Sequence, residues 1–534
     1  MHPKLPSLKS FHYHPPPDPS GDSHVMATTS LYPLSIKEDL RKQFVGKSIK
    51  DVAVPAAVLD LGKVKNNCNR MLEAVESLDF SWRAHIKTHK TTELTRLQVG
   101  EGPGPANIIV STLVEAEHIV PLLQEYKSSG RAVDLLYSFP ITPSAVERLA
   151  LISEALGPRG LSLMVDHPDQ LPNVTALHEL SGNAPSVFLK IDMGGHRAGV
   201  APQTTACTTL IASLLELEKA GTLNLLGLYS HAGQSYSSSG ESDALDFLRQ
   251  EFEALLVTAI ELRTVSPSHP LVLSVGATPT TTSIRNLLLT HPPPDSRSPS
   301  SPLPSTPSQE AISALRATIS LIRSSGLTIE IHAGVYPTLD IQQLATHALP
   351  TTGPHAMLTW NDLAFTVVAE VASIYPGRGK NGTPEVLINA GIIALAREPC
   401  KAYGGFGIVS GWGREGVHTP LTSPELHTGW TVGRISQEHG ILVWTSPSSN
   451  PNNSTESSTT ETSTTETSTT ETSTTETSTT EKESKIPEEE MLHVGQKIRI
   501  WPNHACITGA GFGWYLVVDG GDEIVDVWPR WRGW

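Results

Sequence analysis

Arg83-Ala84-His85-Ile86-Lys87-Thr88-His89-Lys90 closes a short β-like run and sets two lysines, two histidines and an arginine beside apolar sequence. A lysine at the end of a strand, partly desolvated and ringed by cations, is held toward its neutral amine. It then becomes a nucleophile suited to a Schiff base. Taken alone, the octapeptide reads equally well as a solvated basic loop. The sequence on either side decides between the two.

Working outward, a regular alternation begins at Pro55. Short apolar, β-branched runs fall at 56–61, 82–87, 108–111, 134–139, 161–165, 187–192, 225–230, 271–275 and 329–333. Between them lie stretches such as 113–127 and 144–156, with apolar residues recurring at three and four. That period predicts helices, and the βα alternation predicts an α/β fold, either a (β/α)8 barrel or a doubly wound sheet. Lys87, Asp192, His231, Thr278 and Gly334 each stand just past the end of a predicted strand. Barrel enzymes keep their sites there, so the barrel is preferred.

After about residue 364 the runs become short, strand-like and separated by Gly-rich turns, which predicts a mostly β C-terminal domain. The expected domains are therefore an unstructured extension at 1–45, a barrel at 46–364 and a β domain at 365–534. The barrel carries a Pro/Ser-rich surface insertion at 291–309. The β domain is interrupted at 447–487 by a Thr-Thr-Glu-Thr-Ser repeat too poor in apolar residues to bury a core. The strands flanking that repeat are expected to pair across it.

Composition narrows the function classes. A net charge of -15 removes any case for nucleic-acid binding by bulk electrostatics. Four scattered cysteines make no disulfide framework and suit a reducing compartment. No apolar run approaches a membrane span, and the N-terminus has no apolar signal core. A soluble cytoplasmic protein is expected.

Several turns carry candidate chemistry. Gly276 and Thr278, then Gly334 and Tyr336, close two consecutive late strands. Glycine admits close backbone approach, and nearby N–H and hydroxyl groups can hold a phosphate. Arg197, in the turn Asp192–Gly199, could reach a phenolate or carboxylate. Tyr229, His231 and Tyr236 lie at and beyond the end of the next strand; a lone histidine there is more often structural. His504-Ala505-Cys506 offers imidazole and thiolate, and in an extended segment both would face one side as ligands for zinc. His-x-Cys alone is a weak motif.

Together the 83–90 stretch, the 192–199 turn, the 229–236 segment, Gly276–Thr280 and the Gly334 turn resemble fold-type III pyridoxal-phosphate enzymes. Within that group the chain is similar to the eukaryotic D-serine dehydratase family. The resemblance runs from about residue 55 to the C-terminus, apart from the two low-complexity insertions. It implies an alanine racemase-like barrel, a C-terminal β domain and a homodimer. It makes Lys87, not Lys90, the Schiff-base lysine. Arg197, Tyr229, His231, Tyr236, Gly276, Thr278, Gly334 and Tyr336 become cofactor contacts, and His504 and Cys506 zinc ligands. The implied activity is elimination of water from D-serine to pyruvate and ammonia, with D-threonine to 2-oxobutanoate as a second reaction. Ala84, His332 and Asn389 depart from patterns common among relatives. The rival expectations are a D-threonine aldolase, against which Cys506 counts, and a non-catalytic pyridoxal-phosphate-binding homeostasis protein, against which the C-terminal domain counts.

Overall fold

The computed structural model describes residues 32–289, 306–353, 356–410, 412, 420, 422–445 and 486–534. The first predicted strand, β1 (Ala56–Asp60), stays outside the barrel. The next eight form it: β2 (Ser81–His85), β3 (Ala106–Val110), β4 (Val133–Tyr137), β5 (Leu161–Val165), β6 (Ser186–Lys190), β7 (Asn224–Tyr229), β8 (Val272–Val275) and β9 (Thr328–Ala333). They close in chain order, every neighbouring pair parallel, with β9 returning to β2. Burial on both faces explains the near-continuous apolar runs of β5 and β6. The outer helices start where a threonine can accept an orphan N–H. Thr91, Thr112 and Thr204 accept from Leu94, Glu115 and Cys207, respectively.

Inside the barrel, Ile109, Leu136, Met164 and Phe188 form an apolar layer. It packs on a buried ionic layer. Arg83 donates to Glu330 and Asp134, each at 2.7 Å, and its guanidinium lies 5.3 Å from the centre of the Phe188 ring.

The second domain is one nine-stranded sheet. Its strands are β10 (Phe365–Tyr375), β11 (Glu385–Ile388), β12 (Gly407–Ser410), β13 (Gly429–Ile435), β14 (Gly440–Thr445), β15 (Lys497–Pro502), β16 (Trp514–Val518) and β17 (Ile524–Pro529), together with β1. The order is β11-β14-β13-β12-β15-β10-β1-β16-β17, and β11 also pairs with β10. That extra pairing rolls six strands into a closed ring.

Four expectations are corrected. The barrel does not begin at residue 46, because β1 pairs antiparallel with β10 and parallel with β16. Alternation says only that a strand has buried faces; which sheet receives it depends on strands more than 300 residues away. The extension at 1–45 contains the helix Lys37–Phe44, whose Leu40 is buried and which packs on β17; residues 1–31 lie outside the described residues. The insertion ends before residue 309. Thr306 and Gln309 exchange side-chain and backbone hydrogen bonds in a capping box that starts the helix Pro307–Ser324, and 290–305 lie outside the described residues. Of the repeat insertion, 446–485 lie outside them too, and Ile486 already packs on the core. The flanking strands β14 and β15 share the sheet but are separated by β13 and β12. No helix among the described residues is long and apolar enough to cross a membrane.

Candidate active site

The C-terminal ends of the barrel strands open toward the second domain. Lys87 stands two residues past β2, in a turn held from several sides. The Ile86 N–H donates to Ile109 O, Lys90 N–H to Ile86 O, and Trp531 N–H to Lys90 O. His89 and Lys90 of the octapeptide are structural. His89 is buried between Thr91 and Gln98, and Lys90 is paired with buried Glu115 at 2.9 Å. Lys87 has no ion-pair partner among the described residues and lines the cavity.

That cavity holds about 570 Å³ and brings together Lys87, Arg197, His231, Tyr236, Gly276, Thr278, Gly334, His504 and Cys506. Tyr229 lines an adjoining cavity of about 280 Å³, which shares His85, Lys87, Arg197 and His231 with the first. Tyr336 lines neither. Its buried ring meets Trp82 edge-on at 5.3 Å and its hydroxyl turns toward Cys68 on the helix Leu61–Ser77. The direction of a side chain after a turn is a tertiary matter, and here it carries the Tyr336 ring away from both cavities. Asp192 holds its own turn, accepting from the N–H groups of Gly194 and His196.

His504 and Cys506 do not lie in an extended segment. His504 stands at the N-cap position of the short helix Ala505–Ala510, on which Cys506 lies. Asp340 accepts the Ala505 N–H at 2.8 Å and thereby anchors the turn. Cys506 Sγ lies 3.0 Å from Thr88 Oγ1, and His504 Nδ1 lies 3.5 Å from Glu398.

The electrostatics favour neutral imidazoles around Lys87. Burial, then the neighbouring cations, push His85, His231 and His332 well below the usual histidine range. Lys190, at the end of β6 in the smaller cavity, is brought down to about 8 by burial and then by Arg197. At His504 and Cys506 burial opposes ionisation, yet each stabilises the other's charge, so the imidazole is raised and the thiol lowered.

These residues fit a pyridoxal-phosphate cofactor. An amine without an ion-pair partner, a cation at Arg197 and Gly/Thr turns face one space, and buried His332 Nε2 lacks a partner there. A Cβ on Gly276 would lie 2.1 Å from His332 O, and its φ of 147° is the glycine region, so no other residue allows β8 and β9 to approach so closely. The His504–Cys506 pair offers two zinc-type ligands. Among the described residues no cluster of three or more His, Cys, Asp or Glu is spaced for a metal. Two protein ligands leave positions for water or substrate, as a catalytic rather than a structural ion requires.

Two family models match in tandem. "Alanine racemase, N-terminal domain" covers 59–291 and "Putative serine dehydratase domain" covers 364–518. D-serine dehydratase of Schizosaccharomyces pombe is 36% identical over 520 residues, spanning 96% of this chain and 100% of that protein. The chain belongs to the D-serine dehydratase family. The Saccharomyces cerevisiae member is 31% identical over 512 residues, 93% of this chain and 100% of its own length. The solved D-threo-3-hydroxyaspartate dehydratase from Delftia sp. HT23 superposes with a TM-score of 0.62 at 23% identity, covering 91% of this chain and 100% of that one. D-threonine aldolase from Filomicrobium marinum gives 0.59 at 19% identity, covering 91% and 97%. These neighbours share the alanine racemase-like barrel with its C-terminal β domain.

Sequence reading missed several residues of this family member's site. Lys190 interrupts the apolar run 187–191 and could have been noticed as a lysine inside a buried strand. Glu251 stands on the apolar stripe of Leu248, Phe252 and Leu255, where an acidic residue is out of place. Glu398 and Lys401 carried no local signal; only the folded chain brings them to the cavity, and Asp340 to the turn that holds His504 and Cys506.

Proposed function

We propose that the protein is a D-serine dehydratase that eliminates water from D-serine, using pyridoxal phosphate on Lys87 and zinc on His504 and Cys506. D-threonine, giving 2-oxobutanoate, is the second substrate. The observation that supports this best is that Lys87, from the barrel, and the His504–Cys506 pair, from the β domain, open on one cavity.

When bound, the cofactor supplies an electron sink for the α-carbon and the zinc a Lewis acid for the departing hydroxyl. Lys87 would hold the cofactor, and its free amine would take the α-proton of the substrate. Arg197 neutralises an oxygen anion where the two cavities meet. Thr278 Oγ1 accepts the Val335 N–H, which orients its hydroxyl at the cavity beside Tyr236. Neutral His231 and His332 would add no positive charge to the cavity that holds the cofactor. The α-proton and β-hydroxyl leave as water, and the resulting enamine tautomerises and is hydrolysed to pyruvate and ammonia.

The proposal includes a cytoplasmic homodimer. Ile393 and Ile507, about half exposed on contacting helices beside the cavity, suit a subunit contact.

The test is pyruvate and ammonia release from D-serine by the cofactor-loaded protein, with and without a chelator. Release that chelator stops and zinc restores is expected. Glycine released from D-threonine, with no pyruvate from D-serine, would overturn it in favour of an aldolase.

A further inference from the structure

Glu251 lies midway along the helix Glu241–Val265 and is fully buried. A buried carboxylate is costly unless paired or fully hydrogen-bonded. No ion pair reaches it among the described residues; three donors do. Oε1 accepts the N–H of Ala232 at 2.9 Å and of Gly276 at 3.2 Å, and Oε2 accepts the Thr280 hydroxyl at 3.1 Å. Burial moves the carboxyl up to about 7.

The donors come from two separate turns. Ala232 directly follows His231 after β7, whereas Gly276 and Thr280 follow β8. The same turns meet again at the cavity face, where His231 Nδ1 lies 2.6 Å from Gly276 O. A carbonyl can only accept, so Nδ1 carries the ring hydrogen and Nε2 of the neutral ring is bare. Gly276 is therefore gripped at both polar groups, its N–H by Glu251 from the helix and its C=O by His231 from the site.

We propose that Glu251 is a positioning residue that clamps the β7 and β8 turns together and, through Gly276, sets the orientation and tautomer of His231. It touches neither substrate nor cofactor. Its effect on cofactor retention rests on the reading that these turns hold pyridoxal phosphate; the clamp itself does not.

The test compares Glu251→Leu and Glu251→Gln with the wild-type holoenzyme. A glutamine carbonyl can keep both backbone N–H groups while its amide donates to Thr280. Glu251→Gln should lose cofactor to a scavenger within about threefold of the wild-type rate, and Glu251→Leu about tenfold faster or more, as for other groups that orient a ligand-holding residue. Hydrogen exchange in the cofactor-free proteins should speed up in peptides covering 229–236 and 275–282 for Leu but not for Gln. A folded Glu251→Leu protein with wild-type retention and exchange overturns the clamp, as does Glu251→Gln as loose as Glu251→Leu. If Glu251→Leu does not fold, Thr280→Val removes one arm alone, and unchanged exchange there also overturns it. A wild-type protein that binds no pyridoxal phosphate defeats the cofactor reading, while the exchange rates still decide the clamp.

Discussion

Thr88 and Cys506 meet across the domain boundary, Oγ1 to Sγ at 3.0 Å. Thr88 is the neighbour of Lys87, so the contact joins the lysine turn directly to the residue expected to hold zinc. Replacing it by valine removes a partner of the sulfur without changing its size. Thr88→Val should weaken zinc retention by about 10- to 100-fold. Metal content after dialysis against a graded chelator measures this; retention equal to wild type would count against the contact's role.

Lys87→Ala should abolish the imine absorption of bound cofactor and its reduction by borohydride. Loss of the proton-transfer role alone should lower turnover by about 10²- to 10⁴-fold. Lys90→Ala should leave the imine in place, since Lys90 is committed to Glu115. An imine that survives the first substitution and not the second would reverse the assignment.

Glu330 supports the floor of the site. It accepts from Arg83 and from the Ser274 hydroxyl, which in turn lies 3.1 Å from His332 Nδ1. Glu330→Leu leaves the Arg83 charge short of one partner inside the barrel, a loss of about 3–5 kcal/mol. A urea midpoint unchanged from wild type would show the pair to be dispensable.

Lys190 should make stability depend on pH in an unusual direction. Its pKa falls from 10.5 to about 8 on folding. Between those values the unfolded chain binds the proton and the folded chain does not, so stability rises with pH across the window. Below pH 8 the full cost applies, on the order of 3 kcal/mol. Lys190→Met should therefore stabilise the protein more at pH 7 than at pH 10, read as the difference in urea midpoints from wild type. An equal difference at both values would show that folding does not lower the Lys190 pKa.

Much of the architecture was legible from local pattern. Strand ends were predicted to within a few residues because the barrel strands are buried on both faces and bounded by helix caps. Lys87, Arg197, His231, Gly276, Thr278 and Gly334 were legible because a parallel barrel places every strand's C-terminal end on one face. His504 and Cys506, expected as zinc ligands, do line the cavity, but with a local geometry other than the extended one expected. An N-cap and an extended strand differ in the turn that follows, and here Asp340, far off in sequence, anchors that turn.

Sequence by itself thus determined the succession of elements, the barrel and the side of it that carries chemistry, since these depend on hydrophobic period and on neighbours along the chain. Tertiary structure alone decided the rest. It gave β1 to the C-terminal sheet, turned Tyr336 into the barrel wall and set Glu251 behind two turns of the site. Each of these depends on contacts between distant segments, where a single register or rotamer chooses the partner, and no local pattern encodes that choice.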